Sequence, residues 1–144
     1  MFHSIAVALD ESPESGRALA KAIELAKVLG VSLRTVTVAE ELPAYTAYAS
    51  AADPSAVKTL KQDQSDFYGS LQRRAIEAGR AEGVEILPSL LAGDRIESIH
   101  AFVKNHNVDL LVIGLHKRSL RMSSLWSTVY TLAQELPCNM LGIH

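Results

Sequence analysis

The sequence predicts an α/β fold, one domain built on a parallel sheet with helices on both faces. Short apolar runs of strand length alternate with longer stretches of helical period, in the order βαβαβαβαβ. Each connection is long enough to hold a crossover helix, which parallel neighbours require. At 144 residues, with 48% hydrophobic and 21% charged residues, the chain has the size and balance of one domain with a real core.

The first strand is Ser4 to Leu9, unbroken and apolar, as suits a strand covered on both faces, and Asp10 ends it. Ser12, Pro13 and Glu14 then supply an N-cap, a proline at the first helical position and an acid at the positive helix end. The inward face of this helix is read as Ala18, Ala22, Leu25 and Leu29, and Gly30 stops it. Val31 to Val38, rich in β-branched residues, is the second strand. Glu41 to Ala52 has neither an apolar stripe nor a charge after Glu41 and is read as a surface loop, with Tyr45 and Tyr48 as its anchors.

Asp53 and Pro54 restart a helix that runs to Glu82, with Val57, Leu60, Phe67, Leu71 and Ala78 facing inward and Gly83 closing it. Val84 to Leu91 is the third strand, and Pro88, which has no N–H for a ladder, places it at an edge or a bulge. Gly93 and Asp94 open a helix whose core face is Ile96, Ile99 and Val103. Leu110 to Gly114 is the most hydrophobic strand and reads as central. A basic loop follows, then a helix from about Ser124 to Glu135 with Val129, Leu132 and Leu136 inward. Pro137 ends it, and Cys138 to Ile143 is the fifth strand.

The formal net charge of −2 provides no basic field to hold nucleic acid. Cys138, the single cysteine, cannot form an internal disulfide and fits a reducing compartment. The start of the chain lacks a basic region and a small-residue cleavage site, and no run reaches the ~18 apolar residues of a membrane span. A soluble cytoplasmic protein without membrane insertion is therefore expected.

In open parallel sheets, ligands sit beyond the carboxyl ends of the strands, where strand order reverses. That rule singles out Asp10, Val38 and the loop after Gly114. From Leu110 to Gln134 there is no acidic residue, while Lys117, Arg118 and Arg121 make the loop basic on an otherwise acidic chain. The loop leads into a helix N-terminus, so an anionic small molecule, phosphate in the simplest case, is the candidate ligand; a solvated loop without a ligand is the alternative.

Gly-x-Ser-x-Gly, Gly-Lys-[Ser/Thr] and Cys-x-x-Cys are all absent, and His3, His100, His106 and His144 lack ligand spacing. Neither an independent hydrolase, nor a redox enzyme, nor a metal site is expected. His116 is read as a loop residue and Trp126, with Leu120, Met122 and Leu125, as packing.

The run Ile5-Ala6-Val7-Ala8-Leu9-Asp10-Glu11-Ser12-Pro13-Glu14-Ser15, the strand Leu110 to Gly114, and the close Leu136-Pro137-Cys138-Asn139-Met140-Leu141 together resemble the universal stress protein family. The resemblance covers essentially the whole chain. It implies a Rossmann-like, adenine nucleotide alpha hydrolase-like sheet in order 3-2-1-4-5, commonly a homodimer. It also implies, in many members, ATP bound through an Asp after strand one, a Val at the end of strand two and a motif G-x2-G-x9-G-[S/T] after strand four.

Carried over by position, these fall on Asp10, Val38, Gly114, Lys117, Ser127 and Thr128, with Arg118 beside them. Only the first motif glycine is present. Lys117 and Ser127 carry a Cβ where glycine would permit positive φ and close approach to a phosphate. Against that, Ser127 and Thr128 offer hydroxyls, and Lys117, Arg118 and Arg121 offer charged contacts in place of backbone N–H groups.

The first expectation is thus a non-catalytic stress-response regulator without ATP, working through an unknown protein partner. The alternative is an adenine-nucleotide sensor for ATP or AMP that uses the altered loop. Slow ATP hydrolysis is a third reading, for which no base is evident. In order 3-2-1-4-5, the apolar run Cys138 to Ile143 is an edge strand whose unpaired backbone invites a second copy of the chain.

Overall fold

The five apolar runs pair as a single parallel sheet in a computed structural model, which describes residues 1–39, 41, 44–116 and 123–144, with side chains except at 123–127. The elements are β1 (Ile5–Ala8), α1 (Pro13–Leu29), β2 (Leu33–Ala39), α2 (Tyr45–Ala52), α3 (Pro54–Ala81), β3 (Ile86–Ala92), α4 (Arg95–Asn105), β4 (Leu110–Gly114), α5 (Ser123–Glu135) and β5 (Asn139–Ile143). The sheet order is β3-β2-β1-β4-β5. Ile5 pairs with Leu33 on one side and Leu110 on the other, so β1 is the central strand.

Successive strand residues point to opposite faces, and both faces are covered. Ile5, Val7, Leu33, Leu110 and Val112 pack with Ala18, Ala22, Ile23 and Ala26 of α1. Ala6, Val36 and Leu111 pack on the other face with Ile99, Phe102 and Val103 of α4 and Leu132 of α5. Unbroken apolar runs in β1 and β4 are what this double burial requires. Pro88 lies in β3, an edge strand, opposite Thr35.

Helix starts follow the local chemistry. Ser12 caps α1 by accepting the Ser15 N–H at 3.1 Å, and Asp94 caps α4 by accepting the Glu97 N–H at 2.9 Å. Asp53 does the same for α3 through the Ala56 N–H, and its carboxyl lies below the usual range because the Ser55 hydroxyl and that N–H favour the charged form. At Gly30, φ of 68° supplies the left-handed turn that ends α1.

Several sequence expectations are corrected. Residues 45–52 form a helix, not a loop; α2 is alanine-rich, which favours helix, but buries no residue and so has no apolar stripe to reveal it. In α3, Leu60, Phe67 and Ala78 are exposed, and Val57 is the one buried residue between Pro54 and Phe67; the first half of the helix does not lie on the sheet. Its second half does, and there Leu71, Gln72, Ala75 and Gly79 are buried. In α1, Ile23 and Ala26 are buried where Leu25 and Leu29 were expected, and those two leucines pack at the margin.

The second and third strands start two residues later than expected. The Val31 N–H bonds to Ala26 O and the Val84 N–H to Gly79 O, so each residue closes the preceding helix rather than opening a ladder. Gln72 is the largest of four buried polar residues among those described, with Ser15, Thr35 and Thr37. Its amide accepts from Thr35 Oγ1 at 2.8 Å and donates to Thr37 Oγ1 at 3.0 Å and Ser89 O at 3.2 Å, tying α3 to β2 and β3 with its polar atoms satisfied.

Candidate functional site

The chain steps outward from β1 through β2 to β3 and then returns to the other side of β1 with β4. A crevice opens at the carboxyl ends of the strands on either side of that reversal. Its floor is apolar, made by Ala8, Val36, Ile99, Ile113 and Leu132, and its rim is polar, made by Asp10, Ser12, Arg95, His116 and Thr128.

Asp10 sits where β1 gives way to the turn before α1. Its Oδ1 accepts the Ser12 N–H at 2.8 Å, and its own N–H donates to Ser15 Oγ at 2.9 Å. Ser15 Oγ in turn donates to the Ala8 carbonyl at 3.3 Å. The carboxylate is therefore oriented by a local turn, and Asp10 also lines the crevice.

Gly114 ends β4 against the first turn of α1. A Cβ there would stand 2.5 Å from the Glu14 carbonyl carbon and 2.7 Å from both Glu14 O and the Ser15 N, all backbone atoms. The glycine is thus required by close packing of α1, independently of any ligand. The next residue, Leu115, donates its N–H to Ile143 O at 2.7 Å, which anchors this segment to β5.

His116 then turns toward α1, with Nδ1 3.2 Å from Glu14 Oε2, while Arg17 approaches Glu14 Oε1 at 3.4 Å. The Glu14 carboxyl lies below the usual range: its own backbone N–H stabilises the charge most, burial opposes it, and the His116 and Arg17 charges add to the lowering. Arg17 also donates from Nε to the His144 carbonyl at 2.9 Å. One small ionic cluster thus joins α1, the start of the basic loop and the end of β5.

Of the residues that sequence reasoning assigned to the site, Asp10, Val38, Gly114 and Thr128 meet around this one crevice. Ser127 lies in the first turns of α5, and its side chain falls outside the described residues, as do those of Leu125 and Trp126. Lys117, Arg118, Leu120, Arg121 and Met122 lie outside them as well.

The sequence reading missed Ser12, Ser15 and Arg95 as residues lining the crevice, and read His116 there only as a loop residue. The signal for Arg95 was present, because Gly93 and Asp94 were read as opening a helix directly after the third strand, and strand ends are where such sheets place ligands. Among the described residues there is no cluster of His, Cys, Asp or Glu able to hold a metal ion, and no helix is long and apolar enough to cross a membrane.

Comparison with known proteins agrees with the architecture. The family model described as "Universal stress protein family" matches residues 1–144. No curated protein sequence is significantly similar. Among solved structures, the universal stress protein UspA from Lactobacillus plantarum superposes with a TM-score of 0.79 at 20% identity, over 99% of this chain and 98% of the other. A universal stress protein in complex with cAMP gives 0.71 at 19% identity, covering 99% and 97%. One from Archaeoglobus fulgidus in complex with dAMP gives 0.69 at 18% identity, covering 99% and 98%. At such identities, the structural likeness speaks to the fold.

Proposed function

The chain belongs to the universal stress protein family, and from that membership and its strand-end crevice we propose a non-catalytic, cytoplasmic, homodimeric stress regulator that takes a nucleoside monophosphate rather than ATP. The observation that carries this reading is the convergence of Asp10, Val38, Gly114 and Thr128 on one crevice with an apolar floor. An aromatic base gains from such a floor, and a carboxylate at its rim accepts from ribose hydroxyls.

The preference for a monophosphate has two supports. Two fold relatives are described with dAMP and cAMP, each with a single phosphate. In this chain, Lys117 and Ser127 stand where the family motif has glycines, and a loop that kept the family's path would meet a Cβ at both positions where a triphosphate tail needs close backbone wrapping. The basic residues of that loop still favour one anionic group.

The non-catalytic character is supported by how the reactive groups are used. Ser15 Oγ donates to a backbone carbonyl, Ser12 Oγ serves as the helix cap, and His116 faces Glu14 rather than a hydroxyl. No activated nucleophile is assembled from these groups.

Calorimetric titration of AMP and of ATP into protein first checked by mass spectrometry for carried-over nucleotide tests the reading. AMP is expected to bind in the micromolar range, ATP no more tightly, and Asp10→Ala to weaken AMP by about ten-fold through loss of charge-assisted hydrogen bonds. Silence for both nucleotides, or ATP clearly tighter than AMP, would overturn it.

A further inference from the structure

The crevice has a second, more open hollow beside it. Val38 and Arg95 line both, and Ala39, Glu41, Gly93 and Asp94 complete the second. Across the two hollows, the described side chains that carry or can carry charge are Asp10, Glu41, Asp94, Arg95 and His116. Three are carboxylates. The only permanent cation among them is Arg95, half-buried at the first position of α4. Among these described groups an anion meets three acids and one fixed base, and the partial burial of Arg95 strengthens its share of the local field.

We propose that Arg95 helps the crevice accept an anionic ligand, favouring a nucleoside monophosphate over the uncharged nucleoside. The inference rests on the nucleotide reading given above and adds to it a specificity-determining residue from the β3 side of the crevice, which Gly114 and His116 line as well. Arg95 has the chemistry for the part. A guanidinium stays charged at any physiological pH, and its five donors allow it to keep a partner within the protein while also serving a ligand. Asp94, its neighbour, is committed to capping α4 through the Glu97 N–H, which fixes the turn that presents Arg95.

The assignment requires that Arg95 discriminate by charge. A purely structural Arg95 would affect charged and neutral ligands alike.

The test is titration of AMP and of adenosine into the wild-type protein, Arg95→Gln and Arg95→Lys, with thermal melts to establish folding. Arg95→Gln is expected to weaken AMP by about ten-fold while changing adenosine by less than about two-fold, as removal of one charge-assisted contact implies. Arg95→Lys, which keeps the charge, is expected to recover most of the AMP affinity. Equal weakening of AMP and adenosine, or unchanged AMP affinity in Arg95→Gln, overturns the assignment while leaving nucleotide binding intact. A wild-type protein that binds neither ligand sinks the nucleotide reading itself, and this assignment with it.

Discussion

Asp109 illustrates how one side chain ties distant parts of the chain together. It precedes β4, and its carboxylate accepts the His3 N–H at 2.8 Å and the Ser4 N–H at 3.1 Å, while its own N–H donates to Ser4 O at 2.9 Å. Burial works against its charged form, but the His3 and Ser4 N–H donors, with the His3 charge and its own backbone N–H, together outweigh that, and the carboxyl lies below its usual range. A carboxyl depressed in the folded state stabilises the fold above its unfolded pKa of about 3.9 and loses that contribution as pH falls through the lower folded value. The wild-type protein is therefore expected to melt higher than Asp109→Asn near neutral pH, with the gap narrowing on acidification below about pH 4. Melting curves across that range decide it, and a gap independent of pH would mean that the carboxylate charge is not what matters. Cys138 is shifted the other way: burial raises its thiol, with Asp109 adding in the same sense, so it is a poor thiolate and packs as a small apolar group.

At the scale of elements, the packing of α1 on β4 controls the crevice. Ser12 and Ser15 build the first turn of α1, Asp10 is hydrogen-bonded into that turn, and Gly114 allows its backbone to approach. Gly114→Ala is expected to destabilise the protein by about 1–3 kcal/mol, because a methyl group pressed onto backbone must move α1 or bend β4. Denaturant unfolding measures this; a variant as stable as the wild type would show that α1 can give way at no cost. The paired elements α2 and the first half of α3 contrast with this. Tyr45, Tyr48, Leu60 and Phe67 are exposed there, so these two elements gain little from the core and owe their helicity mainly to alanine-rich or capped sequence.

For the whole molecule, the sheet has two edges that differ. Each pairs with one neighbour and exposes a leucine, Leu90 in β3 and Leu141 in β5, but β3 carries Pro88, which weakens it as a template for a further strand, and β5 holds no proline. The proposed homodimer uses that second edge. Leu141→Asp is expected to yield a monomer in size-exclusion chromatography with light scattering, because a carboxylate at the seam lacks a partner. Persistence of a dimer would place the interface elsewhere.

Much of this molecule is determined locally and is legible in the sequence. Apolar runs wide enough for two-sided burial, caps at Ser12, Asp53 and Asp94, and stops at Gly30 and Gly83 define nine of the ten elements, and the rule for strand ends points to Asp10, Val38 and Gly114. Tertiary structure decided the rest. Whether Leu60 and Phe67 are buried depends on how far α3 overhangs the sheet, which no periodicity records. The core position of Gln72 depends on Thr35 and Thr37 arriving opposite it. Arg95 joins Asp10 only because β3 and β1 lie in one sheet with their carboxyl ends together, and His116 meets Glu14 only because β4 returns beside β1. Local conformation follows from near neighbours in the chain, but a site assembled from four strand ends exists only once the strand order has been chosen.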